Sequence, residues 1–375
     1  MPDLYDAVGH GMWAYSHAAF RMKTLGRDRF RLEPGTVILA THRRESDVPI
    51  LSPALYFGGS LRRNVGDRMS FAARDDMFLP GFFAGFPNGL PGWARSALYG
   101  ISVARWLPLV QVYPLRSASV ARLDEVLRAR SDAQLDELLP DDLVGELRER
   151  AARSRLPSPE RARDVLRGQY ADLLWRAVEP ADLRRDTLAD FWSGRAAAAA
   201  RDFRTLVDLL RSGGTLVVFP EGRPSPDGEI GPLRPGVGAL VRRGRPRWIR
   251  PLALAYDPLV RGRTRVWVAL PDPVAPPVDD VEPALLDLMR GSMPLTAGQY
   301  AAHRLVEGAQ ADPVALERGL AEAVEAAAGE GRLVEPDLLS PRTRARRLSE
   351  ALAVAPTKPG ALTYLAREYE SARKR

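Results

Sequence analysis

Cysteine is absent from this 375-residue chain, which excludes disulfides, thiolate metal sites and a cysteine nucleophile together. Histidine is scarce: His10, His17, His42 and His303 are the only four, so imidazole chemistry has few candidates. Lysine supplies three of the 54 basic residues and arginine the rest. The best candidate for a membrane span, Met77 to Ala94, carries no charge but contains Pro80, Pro87, Pro91 and four glycines. A spanning helix does not tolerate that composition, and the segment reads as an aromatic surface loop. The first residues lack a basic stretch followed by an apolar one, so no secretory signal is expected. A soluble or surface-bound protein is.

What is present belongs to an ordinary globular protein: 45% hydrophobic and 27% charged residues, values that exclude disorder and collagen. The length suggests two domains, or one α/β domain with a large insertion. A net charge of +7 and a pI near 9.9 point towards anionic partners, whether phosphorylated metabolites, nucleic acid or a membrane surface. No zinc knuckle, RNA-binding aromatic block or helix-turn-helix pattern accompanies the charge, so no nucleic acid is expected. The segment Val241 to Arg265 holds eight arginines against a single acid, Asp257. It could meet coenzyme A phosphates, an acidic carrier protein or anionic head groups, or be a solvated loop.

Apolar residues Tyr5, Val8, Met12, Tyr15, Ala19 and Met22 recur at helical spacing, which predicts an amphipathic helix over 5–22. Thr36 to Thr41 reads as a buried strand, Asp47 as a helix N-cap, and Val48 to Phe57 as the helix that follows. Trp106 to Leu115, Gly213 to Phe219, Trp248 to Tyr256 and Arg265 to Leu270 read as further strands. Between them, residues 119–211 are rich in leucine, alanine, arginine and acids at helical spacing. The expected architecture is α/β: a central mixed sheet with flanking helices and a long α-helical insertion. In residue terms this means an N-terminal helix within 1–30, an α/β domain from 31–118 and 212–282, the insertion 119–211, and a helical region 283–375 with a basic tail.

His42 lies in Thr41-His-Arg-Arg-Glu-Ser-Asp47, between a strand and a helix. A carboxylate across one turn can accept a hydrogen bond from one imidazole nitrogen. That fixes the tautomer and leaves the other nitrogen as a general base near neutral pH. A surface histidine beside a chance aspartate is the plain alternative. Phe219-Pro-Glu-Gly-Arg-Pro-Ser225 directly follows a strand, and its turn exposes backbone amides next to charge. Arg116 closes Val112-Tyr-Pro-Leu-Arg at a strand exit, and a proline-containing strand, Ile249 to Tyr256, comes after Pro235-Gly-Val-Gly-Ala-Leu240. Asp75 and Asp76 have no histidine beside them, so no metal site is expected.

In order, these four segments resemble the blocks of the glycerophospholipid acyltransferase family, whose best-known members acylate lysophosphatidic acid. The likeness covers about residues 36–120 and 212–275. It implies that His42 is the general base for an acceptor hydroxyl and that Asp47 orients it. It further implies that Arg116, Glu221 and Gly222 hold a phosphorylated acceptor, with Arg223 adding charge and Ser225 completing the third block. The oxygen would attack an acyl thioester directly, which fits a chain without cysteine or a Gly-x-Ser-x-Gly elbow. No cofactor is implied beyond the co-substrate, acyl-CoA or acyl carrier protein. The implied partners are a lipid acceptor and an anionic membrane surface, and the implied location is cytoplasmic, peripheral on the inner face of the cell membrane. Thr41 and Arg44 stand where the family commonly has asparagine and serine, and Arg223-Pro224-Ser225 replaces Thr-Arg-Ser. Those departures bear on acceptor identity. A different acceptor (glycerol 3-phosphate or a non-glycerol lipid), a hydrolase using His42 to activate water, and a non-catalytic lipid-binding protein stay open.

Overall fold

In strands β2 (Thr36–Ala40) and β7 (Thr215–Val218) every residue is buried, the burial expected of strands covered on both faces. The computed structural model describes residues 4–27, 32–57, 68–85, 91–184, 188–308 and 312–374. β2 and β7 belong to a mixed sheet with β1 (Arg21–Leu25), β3 (Met69–Arg74), β4 (Val112–Leu115), β8 (Trp248–Asp257) and β9 (Arg265–Ala269). Its order is β1-β9-β8-β2-β7-β3-β4. β2 runs parallel to both β7 and β8, while β8 and β9 are antiparallel. The fold is therefore α/β with a central mixed sheet. Two compact units share the chain: Met1–Phe71 with Val207–Arg375, and Ala72–Leu206.

In the first unit, helix Leu4–Ala19 packs on helix Asp47–Tyr56. The Tyr5 and Tyr56 rings meet edge-on at 5.4 Å, and Gly9 lies against the Phe57 ring. The helix stops three residues short of Met22, because Arg21–Leu25 pairs in parallel with Arg265–Ala269 instead. Sheet pairing outweighs a spacing that fits either structure. Asp47 is the first helical residue rather than the cap; Ser46 occupies the cap position without a side-chain bond.

In the second unit, the segment expected as one strand from Trp106 begins with a 3-10 turn, Leu107–Val110. Gln111, in the left-handed region at φ 59°, ends that turn before β4. Helices and a small antiparallel ribbon of β5 (Ala121–Arg122) and β6 (Ala177–Val178) enclose a core that includes Leu123, Leu135, Leu147 and Tyr170. Arg195, almost fully buried, bridges Asp75 and Glu125.

The chain's last helices complete the first unit. Thr296 and Gln299 form a capping box on helix Ala297–Val306, which packs on helices Pro341–Val354 and Pro359–Ser371. A buried charge cluster ties this region to the sheet: Arg347 bonds Asp257 at the end of β8, and its Nε lies 3.0 Å from Glu335. Arg265 also reaches Glu335, at 2.5 Å, and Gly298 leaves room for the Asp257 carboxylate. Of the arginines of 241–265, Arg250 is buried and six are exposed, some of them with partners in the fold. Arg250 is buried against the Pro271 carbonyl, Arg242 pairs with Glu282, and Arg263 caps the first helix at the His17 and Ala18 carbonyls.

Replacing Arg347 by alanine strands two buried carboxylates. We expect urea denaturation to show a loss of about 3–5 kcal/mol, the range for breaking one partner of a buried pair. A loss below about 1 kcal/mol would mean that the cluster is solvated.

Candidate active site

Because β2 and β7 are parallel neighbours, the residues just past their C-terminal ends emerge at one sheet edge. Open α/β sheets place their sites there. His42 follows β2 and Glu221 follows β7, and the structure brings them together: the His42 backbone N–H donates to Glu221 Oε1 at 2.8 Å. A second bond closes the loops, from the Ser225 N–H to the His42 carbonyl at 2.9 Å.

Asp47, wholly buried, organises the histidine. Its Oδ2 lies 2.9 Å from His42 Nδ1 and accepts the backbone N–H groups of Arg43 and Arg44 as well. Its Oδ1 accepts the Tyr256 hydroxyl at 2.6 Å. A carboxylate only accepts, so Nδ1 carries the proton and Nε2 keeps its lone pair. The ring stacks at a tilt on Phe219, 4.6 Å between centroids, and stays 12% exposed. An oriented imidazole with one free nitrogen at the surface can take a proton from a hydroxyl or from water.

Tyr256 was not legible as a site residue. It lies in β8, a strand buried along almost its whole length, which hides one polar tip. Burial, followed by the Asp47 charge, pushes its hydroxyl far above the usual phenol range, so it remains a donor. Ser46 Oγ lies 3.1 Å from the same hydroxyl, and the Arg44 guanidinium covers the ring at 4.5 Å.

The third block is arranged by its own loop. Burial raises the Glu221 carboxyl above the usual carboxylate range, opposed by Arg43 and by the backbone N–H groups of His42 and Gly231. Gly222 adopts φ +71° with the Arg234 side chain beside it. Ser225 is buried, and its Oγ accepts the Gly228 N–H at 3.0 Å. Arg223 is exposed. Arg116 belongs to the second unit, where its Nε lies 3.8 Å from Asp75 and 3.7 Å from Asp202. Burial raises the Asp202 carboxyl against the pull of Arg116. Among the described residues no group of histidines and carboxylates could hold a metal ion.

Tyr256→Phe removes one donor from a buried carboxylate. Thermal or urea unfolding should show a loss of about 1.5–3 kcal/mol, as for hydrogen bonds to charged groups. An unchanged midpoint would mean that water replaces the hydroxyl.

No family model matches the chain, and no curated protein does. Among solved structures, the chain is distantly similar to the 1-acyl-sn-glycerophosphate (LPA) acyltransferase PlsC from Thermotoga maritima. That likeness has 13% identity and a TM-score of 0.37, over 77% of this chain and 76% of that one.

Proposed function

We propose that this protein is an O-acyltransferase that moves a fatty acyl group from an acyl thioester to the hydroxyl of a glycerol-phosphate acceptor, foremost lysophosphatidic acid. The observation that carries the reading is the His42–Asp47 pair at the sheet edge, with Nδ1 held and Nε2 open. His42 Nε2 takes the proton of the acceptor hydroxyl as its oxygen attacks the thioester carbonyl. The tetrahedral intermediate then expels the thiolate, which recovers the proton from the imidazolium. Asp47 keeps the ring in register and offsets the positive charge that forms on it. Glu221 acts through the His42 backbone, which steadies the base. Arg223 offers an exposed cation for acceptor phosphate or donor, and Arg116 is assigned to the acceptor by its sequence block. The donor is acyl-CoA or acyl carrier protein.

His42→Ala should lower transfer to lysophosphatidic acid by about 10²–10⁴ in a folded protein, and Asp47→Asn should lose most activity through a misoriented ring. A labelled acyl thioester supplied with lysophosphatidic acid, with glycerol 3-phosphate, or with neither reads out acceptor choice. Thioester consumed equally fast without acceptor would mean a hydrolase, and near-normal turnover by His42→Ala would overturn the mechanism.

The same reading assigns the protein to the inner face of the cell membrane as a peripheral protein. Among the described residues no helix is long and apolar enough to cross a membrane. The second unit exposes Trp93, Ile101, Trp106 and Leu109 over a short stretch, with Trp93 at 78%. The Arg105 guanidinium lies 4.8 Å over the Trp106 ring, a pairing of apolar ring and cation suited to an anionic interface. Of the phenylalanines nearby, Phe82 is part-buried, whereas Phe86 and the Phe83 side chain lie outside the described residues. Co-sedimentation with anionic vesicles should exceed that with neutral ones, weaken with salt, and fall for Trp93→Ser with Trp106→Ser. Protein that stays in the supernatant with every lipid would mean that acceptor is taken from solution.

A further inference from the structure

Arg43 directly follows the histidine, yet its side chain is fully buried. Its Nη1 donates to the carbonyls of Gly228 and Glu229 at 3.1 and 3.3 Å. Its Nε lies 3.5 Å from Oε1 of Glu368, itself 1% exposed on helix Pro359–Ser371. The other Glu368 oxygen accepts from Gln299 Nε2 at 2.7 Å. The same helix meets the loop beyond Ser225 twice. Gly228, at φ +93°, lies so close that a Cβ would sit 2.2 Å from the Tyr364 carbonyl, and the Ile230 N–H donates to Ser371 Oγ at 3.0 Å. A circuit results: His42 to Arg43, Arg43 to Glu368, the helix to Gly228 and Ile230, and Ser225 back to the His42 carbonyl.

We propose that Glu368, on the last helix of the chain, is a positioning residue of the active site: through Arg43 it fixes the loop that carries His42 and balances the cation beside that base. The proposal rests on the reading of His42 as a general base. Glu221 and Asp47, the two carboxylates that touch His42, both act on the Arg43 charge, so an unbalanced Arg43 reaches the imidazole's surroundings directly. The groups facing His42 are Asp47 from its helix, Glu221 and the Phe219 ring after β7, and, through Asp47, Tyr256 with Arg44 above it. Those facing Glu368 are Arg43 and Gln299, with Asp257, Arg44 and its helix neighbour Tyr364 acting through charge. Burial raises the Glu368 carboxyl to about 7, opposed chiefly by Arg43. A plain packing residue would have no electrical effect on His42. A balancing charge does: with Glu368 neutral, the uncompensated guanidinium disfavours the imidazolium.

Glu368→Gln keeps the shape and removes the charge. NMR titration of the histidine rings, with the His42 signal assigned by its loss in His42→Gln, should show the His42 midpoint at lower pH, by less than a full unit because Glu368, raised to about 7, carries only part of its charge near neutrality. In acyl transfer, the acid limb of the pH profile should move the same way. The kcat should fall by roughly ten- to a hundredfold, the range for a slightly misplaced catalytic group, with KM little changed. Arg43→Met combined with Glu368→Gln removes both charges and should return the midpoint towards that of the wild type. Gln299→Met, which withdraws the donor favouring ionised Glu368, supplies a second variant with a smaller shift in the same direction. A His42 midpoint unchanged in folded Glu368→Gln or Gln299→Met, with only thermal stability altered, overturns the proposal. If no acyl transfer is found at all, the functional reading falls, whereas the NMR midpoint still decides whether Glu368 acts on His42.

Discussion

The Asp47 carboxylate is the constraint on which the site depends. It is wholly buried and it meets four donors: His42 Nδ1, the Arg43 and Arg44 N–H groups, and the Tyr256 hydroxyl. An ionised carboxylate out of water is costly unless its lone pairs are filled, so filling them determines much around it. The two backbone donors force the chain after His42 to curl over the carboxylate. That curl faces the imidazole's Nδ1 towards the carboxylate and its Nε2 away. The fourth donor comes from β8, so the neighbouring strand must also be in register. An asparagine here could satisfy only part of this set, because its amide nitrogen donates where every neighbour donates too.

Much of this was legible because strands and short motifs are local. Five buried residues, Thr36–Ala40, announce β2 by composition alone, and the Asp at the fifth place after His42 announces the dyad by spacing. Where the sequence misled, a tertiary contact decided. Met22 continues a helical spacing yet lies in β1, because β9 offers it a partner. Trp106 to Leu115 is apolar enough for one strand, but Pro108 and the left-handed Gln111 divide it. Tyr256, though it ends the proline-containing strand, and Glu368, which stands in no motif, were not legible as site residues. Each acts on the site through a bond between residues far apart in the chain, and no local pattern encodes such a pairing.

The third block shows how a short motif also shapes the loop that carries it. Its glutamate and serine look from sequence like substrate ligands. In the fold, Glu221 holds the His42 N–H and Ser225 holds the Gly228 N–H. Both side chains are buried, where an unpaired polar group would be destabilising, and both accept backbone N–H groups. The block thus shapes the loop that faces His42, and the cations around it, Arg44, Arg223 and Arg234, stay exposed.

The arginine excess has a similar explanation. A pI near 9.9 invites a search for a polyanion, but net charge says nothing of where the charges lie. Arg43, Arg195, Arg250 and Arg347 are buried; Arg43, Arg195 and Arg347 each reach several oxygens, carboxylates among them, and Arg250 meets the Pro271 carbonyl. A guanidinium suits that work: its planar fork of donors can serve two carbonyls and a carboxylate together, whereas an ammonium offers a compact, strongly hydrated point charge. The same donor geometry explains why lysine would be a poor substitute at Arg43, which must reach Gly228, Glu229 and Glu368 at once. Part of the composition that resembles an interaction surface is therefore internal scaffolding, while Arg44, Arg223 and Arg234 remain exposed on the loops around His42.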